Sequence, residues 1–131
     1  MKVILAEKPS VARDIARCLG PSSSCNGYIQ GAGWCITWAL GHLVELEEPH
    51  AYDRSLQRWS LDPLPFVPET FKLRVGKQKG VSRQFHIIKK LFKQADEIVC
   101  ATDAGREGEL IFRYIQKKAG VTEKPVRRLW I

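Results

Sequence analysis

The sequence predicts an α/β domain built on a mainly parallel central sheet flanked by helices. Three observations carry this expectation. Short apolar runs with β-branched residues, Lys2–Ala6 and Glu97–Thr102, alternate with stretches whose apolar residues recur at helical spacing. The helical stretches are punctuated by Pro9 at an opening and by Gly20 and Gly120 at closings. The order strand, helix, strands, helix, strand, helix, strand is that of parallel βαβ units. A chain of 131 residues suits one domain, 1–131, with a core of its own.

Each element has its own signal. After the strand Lys2–Ala6 comes a loop carrying Glu7 and Lys8, then a helix with Val11, Ile15, Cys18 and Leu19 on one face. Residues 21–27 read as a polar loop. Tyr28 to Gln30 and Trp34 to Ala39 read as two short strands joined through Gly31-Ala32-Gly33, with Trp34 and Trp38 on one face. From about 44 to 70 the chain is rich in proline and acid (Glu45, Glu47, Glu48, Pro49, Pro63, Pro65, Pro68), which predicts an extended, irregular excursion. Trp59, Leu61, Leu64, Phe66 and Val67 make it too apolar for a free linker, so it is expected to pack against the domain. Phe71 to Val75 alternates apolar and basic, as a strand does. Gly76 to Gly80 is a basic loop. Ser82 is placed to cap the next helix, whose apolar face is Phe85, Ile88, Leu91 and Phe92. The strand Glu97–Thr102 ends on Asp103. A helix over Arg106–Lys118 turns Leu110, Ile111, Tyr114 and Ile115 inward, and Val126–Ile131 begins a last strand. There are no internal repeats.

Composition excludes several classes. Hydrophobic residues make up 44% and charged residues 27%, as in a soluble globular protein. No apolar stretch approaches the roughly 20 residues of a membrane span. The N-terminal run meets Glu7 and Lys8 too soon for a signal peptide, so a cytoplasmic, nucleoid-associated protein without a membrane partner is expected. Cys18, Cys25, Cys35 and Cys100 form no C-x-x-C pair, and His42, His50 and His86 no ligand pattern, which argues against zinc. Cys18 and Cys100 sit in apolar patterns and are expected to be buried. Net charge is +7, unevenly spread: residues 1–65 hold six bases and seven acids, residues 66–131 fifteen bases and seven acids. From Lys72 to Lys93 there are eight bases and no acid, a stripe that attracts polyanions.

The chemistry concentrates in Ala101-Thr-Asp-Ala-Gly-Arg-Glu-Gly-Glu109. Asp103, Glu107 and Glu109 crowd three negative charges together, which resists ionisation unless a cation compensates. Mg²⁺ takes carboxylate oxygens and water and leaves positions for phosphate oxygens, so the cluster points to a metal-assisted phosphodiester site. Gly105 and Gly108 permit close backbone approach. Asp103 could equally cap the following helix, and the glutamates could simply favour its positive end. Glu107 and Glu109, two positions apart, do not share a helical face, so at most one is a direct ligand. Arg106 opens the helix against the dipole preference, which suggests phosphate contact. Sites in parallel sheets lie at the carboxyl ends of strands. If the strands before Glu7 and Asp103 are neighbours, both carboxylates enter one crevice. His42, at a strand end after Gly41, is either structural or part of the site. Trp34 and Trp38 read as core, and Trp59 as a candidate for a surface role.

Leu5-Ala-Glu-Lys-Pro-Ser10, Gly41-His-Leu43, Thr102-Asp-Ala-Gly-Arg-Glu-Gly-Glu109 and Arg128-Leu-Trp-Ile131 occur in that order. Together they resemble the Toprim domain of type IA DNA topoisomerases, a Rossmann-like fold. The stretches from Ala51-Tyr-Asp53 to Leu64-Pro-Phe-Val-Pro68 are similar to the topoisomerase III branch. The resemblance covers essentially the whole chain. It implies that Glu7 matches the glutamate after the first strand, and that Asp103 and Glu107 match the first and last acids of a D-x-D-x-E motif. Lys8 matches a lysine that contacts the DNA backbone. Gly105 stands where the second aspartate would be, so one metal ligand is missing.

The resemblance further implies transient cleavage and resealing of single-stranded DNA for strand passage and relaxation of negative supercoils. Glu7, Lys8 and Asp103 would be catalytic, with Mg²⁺ held by Glu7, Asp103 and Glu107, and Lys8 and Arg106 on flanking phosphates. Tyr28, Tyr52 and Tyr114 match no nucleophile motif, since the family's tyrosine lies in another domain. The chain is therefore expected to be an N-terminal fragment, monomeric, dependent on the remaining domains of the full-length enzyme and inactive alone. Two alternatives stand beside this: a self-sufficient metal-dependent nuclease using activated water, and a non-catalytic binding module.

Overall fold

The apolar run at the N-terminus becomes a strand covered on both faces, and the rest of the fold is built around it. The computed structural model describes residues 1–131. Strand β1 (Lys2–Ala6) lies in the middle of a six-stranded sheet and is buried from Val3 to Ala6. It pairs in parallel with β4 (Trp34–Trp38) on one side and β7 (Glu97–Ala101) on the other. Strand β8 (Val126–Arg128) extends the parallel part beyond β7, while β2 (Ser23–Cys25) and β3 (Tyr28–Gly31) add an antiparallel ribbon beyond β4. The order is β2-β3-β4-β1-β7-β8. The mainly parallel α/β sheet expected from the sequence is therefore present, with β1 and β7 as direct neighbours.

Alternation along the strands sends side chains to two cores. Val3, Leu5, Cys35, Ile98 and Cys100 face α2 (Val81–Gln94) and α3 (Arg106–Ala119). Ile4, Ala6, Ile36 and Ala101 face the other side, where α1 (Pro9–Leu19) packs through Ala12 and Ala16. Trp34 and Trp38 border this second core together, as their spacing requires. The larger core centres on Phe92 and Phe112, both without exposed surface, with ring centroids 6.2 Å apart. Phe85, Ile88, Leu91 and Phe92 form the expected buried face of α2.

Several expectations fail locally. Residues 21–27 contain β2, whose three residues pair with β3 although serine is a poor strand former. Ser82 caps nothing; α2 begins one residue earlier, with Gly80 at the cap position. In α3, Leu110 is exposed and Phe112 takes the buried place, because 111, 112 and 115 lie on the side that meets the sheet. The last strand ends at Arg128, although the Leu129 N–H still donates to the Cys100 carbonyl at 3.0 Å. Cys100 is buried as expected, but Cys18 is exposed at the end of α1.

The excursion leaves the sheet through β5 (Val44–Leu46) and returns through β6 (Leu73–Val75), which pair antiparallel as a separate ribbon. Between them lie two short 3₁₀ turns, Pro49–Ala51 and Arg54–Gln57. Its base is tied by Arg74, which reaches Glu45 at 3.0 Å and Glu48 at 3.2 Å. Tyr52 meets Phe66 edge-on and its hydroxyl accepts the Lys72 N–H at 2.6 Å. The expected packing against the domain does not extend to the outer part, where Trp59 is fully exposed and Leu61 and Val67 nearly so. No helix is long and apolar enough to cross a membrane.

Candidate active site

Parallel pairing fixes the position of the two leading carboxylates. Ala6 is in register with Ala101, so the chains emerging from β1 and β7 leave the same end of the sheet side by side. Glu7 is the first residue past β1, and Asp103 the second past β7. The Asp103 N–H donates to Glu7 Oε2 at 3.3 Å. Glu7 is half-buried and its carboxyl is raised above the usual value, first by burial and then by a side-chain hydrogen bond with Asp103, which outweigh the downward pull of the Asp103 N–H, and by the charge of Asp103. Lys8 pulls it the other way. Lys8 itself takes the extended cap position of α1 and is exposed.

The loop from β7 to α3 is held at Asp103 by close packing. A Cβ on Gly108 would stand 2.1 Å from the Asp103 carbonyl oxygen, so only glycine lets the first turn of α3 approach this backbone. Arg128 at the end of β8 fastens the same loop. Its guanidinium donates to the carbonyls of Thr102 at 2.6 Å and Asp103 at 2.7 Å and lies 3.5 Å from Glu109. Glu109 also accepts from Arg113 at 2.7 Å. Glu109 is thus held by two arginines. The i, i+4 spacing to Arg113 was visible in the sequence, whereas the Arg128 contact comes only from the neighbouring strand.

Glu107 is exposed and its carboxylate is in hydrogen-bonding contact with His42 Nε2. His42 therefore belongs to this end of the molecule, brought there by the loop between β4 and β5. The structure brings Glu7 and Asp103 together and does not bring Glu107 to them. No group of three acid, histidine or cysteine side chains is gathered closely enough to hold a metal ion. The donor set that converges is two carboxylates, and Mg²⁺ is commonly bound through one or two carboxylates with water completing its shell. The residues therefore fit such an ion. Asp103 does not cap α3, since the cap position is Gly105 and no side chain bonds there. Arg106, the first residue of α3, is exposed, and neither it nor Lys8 enters an ion pair. Both cations are unpaired, and Lys8 is close enough to Glu7 to draw its carboxyl down.

Comparison with known proteins agrees with this geometry. The Toprim domain model matches residues 2–131. The DNA topoisomerase 3 of Shouchella clausii (strain KSM-K16) is 53% identical over 132 residues, covering 99% of this chain and 18% of its own length. The DNA topoisomerase 3 proteins of Bacillus anthracis and Bacillus subtilis (strain 168) are 52% and 51% identical over 131 residues, again 98% of this chain and 18% of theirs. The chain thus spans 18% of the length of the relatives it matches. With the acidic loop at the strand ends and a match across nearly every residue, this chain belongs to the Toprim domain family.

Proposed function

We propose that this chain is the metal- and DNA-binding half of a type IA topoisomerase active site, the N-terminal part of a DNA topoisomerase 3. The observation that supports it most is the convergence of Glu7 and Asp103 at the ends of adjacent parallel strands, each followed within three residues by an unpaired base, Lys8 and Arg106. Glu7 and Asp103 would hold Mg²⁺, with Glu107 joining only on release from His42. When bound, the ion would offset charge on the scissile phosphate. Lys8 and Arg106 bind the flanking phosphates of a single strand. The nucleophile is a tyrosine from the remaining domains. Its oxygen loses its proton to water and bonds to phosphorus, the bond to the 3′ oxygen breaks, and Glu7 delivers a proton to that oxygen. In resealing, Glu7 takes the proton back as the 3′ hydroxyl displaces the tyrosine. Strand passage between these steps relaxes negative supercoils without a high-energy cofactor.

The burial of Glu7 suits a group that must be protonated in one direction and ionised in the other. The nuclease reading shares the metal pair but replaces tyrosine with water. End-labelled single-stranded DNA incubated with this chain, with Mg²⁺ or with chelator, separates the two. No cleavage in either condition is expected, with Glu7→Gln indistinguishable from the parent. Mg²⁺-dependent cleavage that disappears in Glu7→Gln would overturn the split-site reading in favour of a self-sufficient nuclease.

A further inference from the structure

Helix α2 has two unlike faces. Val81, Gln84, Phe85, Ile88, Leu91 and Phe92 are buried, while Arg83, His86, Lys90 and Lys93 are exposed at spacings of three and four, a single stripe along the helix. Lys77 and Lys79 continue it into the preceding loop. No acid occurs from Lys72 through Gln94, and none of Lys77, Lys79, Arg83, Lys89, Lys90 or Lys93 enters an ion pair. Arg74, by contrast, is neutralised by Glu45 and Glu48. At its upper end the stripe borders an open hollow of about 670 Å³ lined by Asn26, Gly80, Ser82, Arg83, His86 and Lys90.

The stripe is oriented relative to the acidic pair. Gln84 Nε2 donates to the carbonyls of Trp38 at 2.8 Å and Gly27 at 3.1 Å. Trp38 is in register with Ala6 on parallel strands, so α2 starts at the sheet end where Glu7 emerges. From there the helix runs about 21 Å towards the opposite end. Ordinary solvated faces mix charges of both signs, and like charges at i, i+4 repel. An uncompensated row of this length calls for a polyanion.

We propose that the exposed face of α2 is a second DNA contact surface, one that holds the phosphate backbone of duplex DNA. No phenylalanine, tyrosine or tryptophan lies on it, since Phe85 and Phe92 point into the core, and the ring of its one histidine, His86, is tied through Nδ1 to the Ser82 carbonyl. It therefore lacks the stacking platforms on which single strands are held. A straight row of cations suits a regular duplex backbone and reads no sequence. That this duplex flanks a reacting strand rests on the function proposed above; the duplex contact itself does not, and it needs no metal.

The test uses the whole chain in chelator, with two fluorescent probes: a duplex of about two helical turns and an oligothymidine of about eight nucleotides. Arg83→Gln/Lys90→Gln is compared with Arg13→Gln/Arg17→Gln, which removes the same charge from α1 on the other face of the sheet. Circular dichroism checks that both fold. For Arg83→Gln/Lys90→Gln, duplex affinity should fall at least about tenfold, and the salt slope of binding should fall by about 2 between roughly 50 and 200 mM. The α1 variant should change affinity less than about twofold, and oligothymidine binding should not discriminate between the variants. Equal losses in the two variants, an equal loss on oligothymidine, or no duplex binding without Mg²⁺ would each overturn the proposal.

Discussion

Gly105 and Gly108 stand three positions apart in one loop and meet opposite constraints. At Gly105 the backbone is extended (φ −161°) and no atom lies within 4 Å of the place a Cβ would take. Any residue fits there, so the gap in the acidic motif is chemical rather than steric. Gly105→Asp should fold normally and tighten Mg²⁺ about tenfold, equivalent to roughly 1.4 kcal/mol, in a calorimetric titration; an unchanged affinity would remove the idea of a missing ligand. At Gly108 a methyl group collides with the Asp103 backbone. Gly108→Ala should cost about 1–3 kcal/mol in urea unfolding and weaken the Mg²⁺ response, because the displaced backbone carries Asp103, the proposed ligand. A variant as stable as its parent would contradict this contact. At this scale the sequence was readable for Glu7 and Asp103, because strand ends in parallel sheets are where sites form. It was silent on the distant partners of Glu107 and Glu109. His42 and Arg128 reach them across 65 and 19 positions, distances at which no local pattern exists.

Elements follow the sequence where burial repeats and depart from it where burial is one-sided. The face of α2 was legible because four large apolar residues recur at helical spacing and all are buried. Leu110 misled because it adjoins Ile111 at the edge of that face, where only packing decides which of two neighbours points inward. The excursion, expected to be irregular, opens on strand β5 and carries two 3₁₀ turns, and its apolar residues did not imply contact with the sheet: Trp59 stays in solvent. The cysteines offer a check on these placements. Burial, with a smaller push from Cys25, raises the Cys35 thiol on β4 to about 11. It therefore remains protonated, and unreactive, until the pH nears that value. Cys100 is likewise raised, chiefly by burial, while Cys18 is exposed. Alkylation of the native chain at pH ~8, read by mass spectrometry, should label Cys18 first and spare Cys35 and Cys100. Early labelling of Cys35 would contradict the placement of β4 between two covered faces.

For the whole molecule, the site is a product of the sheet order. Glu7 and Asp103 are 96 positions apart and meet only because β1 and β7 pair directly. A metal held by both exists only in the folded chain, so Mg²⁺ should stabilise the fold by linkage. At ten times its dissociation constant the gain is about 1.4 kcal/mol, seen as a rise in the thermal midpoint. Asp103→Asn should abolish that rise while leaving the metal-free midpoint nearly unchanged, since the exposed side chain supports no packing. A persistent Mg²⁺ effect in Asp103→Asn would place the ion elsewhere.

The sequence by itself determined the α/β class, six of the eight strands, the three α-helices, and the acidic loop with its neighbouring cations. These rest on periodicity, turn residues and local spacing, which the chain carries along its length. Only the tertiary structure decided that β1 and β7 are neighbours, that Glu109 is bound by arginines while Glu107 faces His42, and that Arg74 of the basic run is paired while Arg83, Lys90 and Lys93 share one free face of α2. The reason is physical: strand pairing and side-chain contacts between distant segments are settled by which surfaces bury together, and that free energy belongs to the assembled layers rather than to any one stretch of sequence.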